Sequence, residues 1–189
     1  MISRFMLRAR HWQIFLLFIV ASFIMQIASW NLFDAMLGSS DLAQPALLFL
    51  VVMSVGIILW FSWFWFVAAF LNSVIGNELR PGMRLFALAL IFQLLYVVPG
   101  MILIVGVKTP PIAIIIPLHL FAMYCMFYVL YYVSRSLVMA ESGRRVSFYD
   151  FSGPFFLLWF FPIGIWFLQP RINALYKSTM NVAQEAAQN

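Results

Sequence analysis

Charge is scarce in this chain. Of its 189 residues only 9% are Asp, Glu, Lys or Arg, against 65% hydrophobic. An ordinary water-soluble domain carries about a quarter charged residues, so that class is excluded. The apolar runs described below hold no Asp, Glu, Lys or Arg at all. Ion-coupled transporters keep an ionisable residue in a span, because its desolvation is tolerated only for function. Here His119 is the one such candidate. Histidine is limited to His11 and His119, which excludes a His-rich metal site and a His-Glu-x-x-His motif. No Gly-x-Ser-x-Gly elbow and no phosphate-binding glycine loop occurs. The single cysteine, Cys125, sits in an apolar run and excludes an intrachain disulfide. The sequence therefore offers no catalytic residue, metal site or cofactor, and we read the protein as a non-enzyme.

What is present is length of apolar chain. Four runs, residues 12–30, 46–71, 85–107 and 112–133, approach or exceed the roughly 20 residues that cross a hydrocarbon core. Arg4, Arg8 and Arg10 precede the first run. A secretory signal begins similarly, but no Ala-x-Ala site follows, so the run is read as an uncleaved helix. The second run contains Trp60-Phe-Ser-Trp-Phe-Trp-Phe66, which suits an aromatic belt at a membrane interface. Pro81-Gly82 and Lys108-Thr-Pro-Pro111 mark turns between runs. A fifth segment, 154–168, is nearly all aromatic and aliphatic but contains Pro162 and Gly164, and Pro170 follows it. Its 15 residues make only about 22 Å of helix. Proline hinders the preceding helical turn and glycine permits positive φ, so a break at 162–164 is expected. Ser152 or Asp150 would cap a helix opened by Pro154, and residues 171–189 form a polar C-terminal tail.

The distribution of basic residues sets an orientation, since Lys and Arg concentrate on the cytoplasmic side. With four spans and a cytoplasmic start, ten basic residues lie inside and Lys108 alone lies outside. If 154–168 also crosses, Arg171 and Lys177 move outside and the split becomes eight to three. The expected fold is thus an all-α integral membrane protein, a single transmembrane domain. It is a four-span bundle with both termini cytoplasmic and a fifth, broken segment that re-enters or lies at the interface. The five-span arrangement is the alternative.

Polar residues within the runs define the candidate faces. Ser22, Gln26 and Ser29 share one helix face, as do Gln93, Tyr96 and Gly100. Tyr124, Tyr128, Tyr131, Tyr132 and Arg135 form a stripe, with His119 on the other side of that helix. These residues serve either as hydrogen-bonded ties between helices or as the lining of a polar path, and ties are the commoner role. A buried phenol wants a partner, so the tyrosine stripe is expected to meet another helix, the C-terminal segment or a second subunit. Cytoplasmic Arg80, Arg135, Arg144, Arg145 and Arg171 are candidate contacts for a partner or lipid headgroups, and Glu78, Glu141 and Asp150 lie in the same loops and turns.

The stretch Trp159-Phe-Phe-Pro-Ile-Gly-Ile-Trp-Phe-Leu-Gln-Pro-Arg-Ile-Asn173 resembles a C-terminal segment of small uncharacterised bacterial membrane proteins. The resemblance implies a bacterial inner (plasma) membrane location and no particular activity. The expected function is a membrane subunit that anchors, or reports bilayer state to, a cytoplasmic protein partner. A small-solute or lipid channel or transporter is the alternative. The expected partners are the bilayer, other copies of the chain in a homo-oligomer and a cytoplasmic protein; the net charge of +5 is assigned to orientation and not to nucleic acid.

Overall fold

The computed structural model describes residues 6–21, 23–24, 27, 43–106 and 112–188, and among these every regular element is helical. Helix α1, His11–Phe15, continues into a π-helical turn over Leu16–Val20. It is followed by α2, Ala43–Val74; α3, Arg84–Gly106; α4, Ile112–Ser142; α5, Phe148–Trp159; and α6, Phe161–Gln188. Two stretches are long and apolar enough to cross a membrane, Met53–Val74 in α2 and Ala113–Ser142 in α4. Of the 18 most apolar consecutive residues in each, only 33% and 22% are buried inside the protein, whereas the core helix of a soluble protein is mostly covered. His11–Val20 and Arg84–Val97 are shorter apolar helices.

The elements differ from the sequence reading at their ends. Helix α4 runs nine residues past position 133, and at 31 residues it is about 46 Å long. It stops at Gly143, the one described glycine with positive φ (64°), whose N–H bonds Met139 O at 2.9 Å. Glycine without a Cβ takes this left-handed C-cap position at no steric cost. Helix α5 begins at Phe148, six residues before Pro154, so neither Ser152 nor Asp150 is its N-cap. Ser147 is the N-cap, and the Asp150 carboxylate reaches back to Ser147 N at 2.7 Å. This is the reciprocal arrangement that satisfies free amides at a helix start.

The break expected at Pro162–Gly164 lies earlier. It falls at Phe160, with φ −90° and ψ 55°, between α5 and α6. Pro162 sits in the first turn of α6, where its missing N–H has no intrahelical partner to lose. Pro170 does not close the segment; it lies inside α6, which continues through the region read as a polar tail. Gly164 adopts no positive φ. Its role is close approach: a Cβ there would lie 2.9 Å from Leu157 Cα and overlap the Leu157 carbonyl. Residues seven apart along a straight helix never come so near, so the chain doubles back sharply.

Ring contacts give the course of this hairpin. Going out, Phe151 meets Tyr131 and Trp159 meets Phe127, so α5 runs antiparallel to α4. Phe161 packs among Trp60, Trp63 and Phe64 of α2. Tyr176 then meets Phe70, so α6 returns parallel to α2. On its other side α6 runs antiparallel to α1, with Phe18 on Phe161 and His11 and Phe15 on Trp166. The hairpin therefore leaves and rejoins the bundle at one end, where Arg171 pairs with Glu141 near the end of α4. Arg8, over the Tyr176 ring, and Arg80, Arg84 and Arg135, around the α2–α3 turn, gather at that same end.

The core forms where the hairpin tip meets α2. Trp63, Phe64, Val67, Leu71, Phe86, Val129, Ile165 and Leu168 are fully or almost fully buried. This corrects the reading of Trp60–Phe66 as an interfacial belt: Trp63 and Phe64 are core residues, while Trp60 and Trp65 in the same stretch stay partly exposed.

Candidate functional site

Three polar constellations interrupt the apolar body. The first ties α3 to α4. Gln93 is buried and donates from its Nε2 to Ala122 O at 2.5 Å. One turn along α3, Tyr96 Oη lies 2.8 Å from His119 Nδ1. Tyr96 and His119, singled out on separate helices, thus meet, and Gln93 bonds across the same pair of helices. Ser22, Gln26 and Ser29 lie outside the described residues.

The second constellation centres on Gln169, which the sequence reading passed over. Gln169 is fully buried in α6. Its Oε1 accepts from Trp63 Nε1 at 3.3 Å. Its Nε2 reaches Met6 O at 3.0 Å, Ala9 O at 3.2 Å and Asn173 Oδ1 at 3.1 Å. Asn173 Nδ2 adds a bond to Ala9 O at 3.1 Å. One amide thereby joins the segment before α1, the middle of α2 and the returning arm of the hairpin. In an apolar setting each of these groups would cost about 1–3 kcal/mol if left unpaired. The signal was available: a Gln flanked by Leu168 and Pro170 in so apolar a stretch must find a partner.

The third lies around the α2–α3 turn. Asn72 Nδ2 donates to Pro81 O at 2.8 Å and to Tyr132 Oη at 2.9 Å, and Tyr132 stacks on Phe86 with centroids 4.6 Å apart. The tyrosine stripe of α4 is divided here. Tyr132 turns toward α2 and α3, and Tyr131 meets Phe151 of α5 edge-on. Tyr128 is half-buried, while Tyr124 is 66% exposed. Arg135 places its guanidinium 6.0 Å from the Tyr131 ring centre. A cavity of about 460 Å³ opens between the start of α3 and this part of α4.

Two of the arginines at that end form separate ion pairs. Arg144 pairs with Asp150 at 3.0 Å. Arg171 pairs with Glu141 through two bonds, Nε to Oε1 at 2.8 Å and Nη2 to Oε2. Arg80 donates weakly to Ile75 O at 3.4 Å, and Arg145 is exposed. Asp150 is held at a pKa of about 2, below the ordinary carboxyl value, first by the Ser147 backbone N–H and then by Arg144 and the Ser147 hydroxyl. Among the described residues no group of three or more His, Cys, Asp or Glu could hold a metal ion.

Among the described residues, fold and contacts define an all-helical protein with two helices long and apolar enough to span a membrane. Comparison with protein-family models, curated proteins and solved structures finds no match.

Proposed function

We propose that the chain is a non-enzymatic integral membrane subunit that anchors, or reports bilayer state to, a cytoplasmic protein. In this reading α1 to α4 are four spans in a bacterial plasma membrane and both termini are cytoplasmic. The α5–α6 hairpin is re-entrant from that side, and copies of the chain associate. One observation carries the proposal. Gln93, His119 and Gln169, polar groups at apolar depth, are taken up by bonds between helices, while Arg8, Arg80, Arg84, Arg135 and Arg171 gather at one end. That pattern suits a dry structural bundle with a basic cytoplasmic face. A solute pathway would require Gln93 to meet water, and its amide instead faces Ala122 O.

Topology tests the proposal directly. In a Cys125→Ser background, Gln188→Cys should resist a membrane-impermeant thiol reagent in intact cells and react after the membrane is opened. Labelling in intact cells would place α6 across the membrane and remove the re-entrant hairpin.

A further inference from the structure

The cavity beside Arg84 and Arg135 continues into a second, apolar one of about 400 Å³, and the two share Leu85 and Tyr128. The apolar part extends along the outer faces of α3 and α4 past Leu88, Phe92 and Phe121. Leu85, Leu88 and Phe121 are 65%, 61% and 51% exposed, so the slot is open along its side. It is an amphipathic groove, cationic at one end and greasy for the rest.

Several features of the cationic end remain uncompensated. Neither Arg84 nor Arg135 has an ion-pair partner among the described residues. Arg84 is the first residue of a 23-residue helix that has no acidic residue in its first turn. The amides of such a turn have no intrahelical acceptor, and with the helix dipole they favour an anion. Ser136 also lines the cavity. Its Oγ is buried beside the Tyr132 phenol. Arginine guanidiniums at a helix start are suited to phosphate oxygens.

We propose that this slot holds one anionic phospholipid of the cytoplasmic leaflet. Its phosphate lies between Arg84 and Arg135, and one acyl chain lies along Leu85, Leu88 and Phe92. The inference rests on the membrane reading above, and charge complementarity joined to a contiguous apolar groove selects the occupant. A free phosphate would leave the apolar half unused. A zwitterionic lipid brings its own cation beside the phosphate, which would compete with the two arginines for it. The occupied slot would make the α2–α3 turn responsive to lipid composition, since Pro81 O, bonded by Asn72 and Tyr132, forms its rim.

The experiment uses full-length protein reconstituted into vesicles of phosphatidylcholine alone or mixed with phosphatidylglycerol of the same chains. Retained lipid is then counted by native mass spectrometry after gentle extraction. Wild type should retain phosphatidylglycerol in preference to phosphatidylcholine. Arg84→Gln with Arg135→Gln should reduce that preference by about tenfold or more, as expected for loss of two charge-assisted contacts. Arg10→Gln with Lys177→Gln removes the same charge elsewhere and should change it by less than about twofold. Equal losses in both pairs would mean diffuse attraction to an anionic surface and would overturn the site. Glycerol phosphate competing as well as the intact lipid would overturn the role of the groove. Failure of wild type to insert into either vesicle would overturn the membrane reading itself. Insertion without lipid preference would overturn the slot alone. Unchanged thermal unfolding of the variants in detergent shows that any loss is local.

Discussion

Replacing Gly164 with Ala adds one methyl group at the tightest point of the α5–α6 hairpin. That methyl carbon would stand 2.9 Å from Leu157 Cα, whereas ordinary contact begins near 3.4 Å, and it would overlap the Leu157 carbonyl outright. The obstruction is backbone, so no rotamer change relieves it; the two helices must separate by at least 0.5 Å at the Cα and by more at the oxygen. Separation there disturbs Phe161 and Ile165, both buried against α2. Overpacking of this kind costs about 1–3 kcal/mol, or roughly 2–12 °C in Tm for a chain of this size. Helix propensity alone predicts the reverse, because Ala in a helix is favoured over Gly by about 1 kcal/mol. Gly153 supplies the control: it lies in α5, exposed, with nothing within 4 Å of an added Cβ. Gly153→Ala should leave Tm unchanged or raise it slightly, and Pro162→Ala should stay within about 0.5 kcal/mol of wild type. Circular dichroism melts in one detergent compare all three. A Gly164→Ala protein as stable as Gly153→Ala would refute the close approach and with it the hairpin.

Gln169→Leu should destabilise by about 1–3 kcal/mol, since Trp63 Nε1 and Met6 O lose their partner and Ala9 O keeps only Asn173 Nδ2; limited proteolysis should then cut ahead of α1 sooner than in wild type. Asp150 has a lowered pKa, so its contribution to the start of α5 is fully present above the free-carboxyl range near 4 and lost as pH falls through about 2. Carbon-13 NMR of the carboxyl should show that low titration point, and Arg144→Gln should raise it. Mass measurement in nanodiscs should show more than one copy of the chain; a single copy under all conditions would remove the proposed association.

Helix content and the apolar runs were plain from composition, because period and length speak directly to them. The ends were harder. The sequence reading ended the fourth run at Val133, where polar residues begin, yet Ser134, Ser136 and Met139 remain buried, since that part of α4 still packs within the bundle. Proline misled twice. Pro154 and Pro170 were read as boundaries and lie inside helices, held by neighbouring elements that outweigh the local preference. Gly164 was singled out correctly but for torsional freedom, when its missing side chain is what the fold uses. Tyr96 and His119 were each singled out in the sequence, but their pairing was not read from it. Nor was that of Gln169 with Met6, since nothing local links them.

The bonds from Gln169 to the carbonyls of Met6 and Ala9 span 163 and 160 residues. Their order in time follows from their order in the chain. At about 5–20 residues per second of synthesis, the segment around Met6 waits roughly 8–30 s before its partner exists. Over that interval Met6 O and Ala9 O are without the Gln169 amide that holds them in the finished fold. Helix α6 completes the seating of the segment before α1, so assembly closes as a ring rather than growing outward from α1.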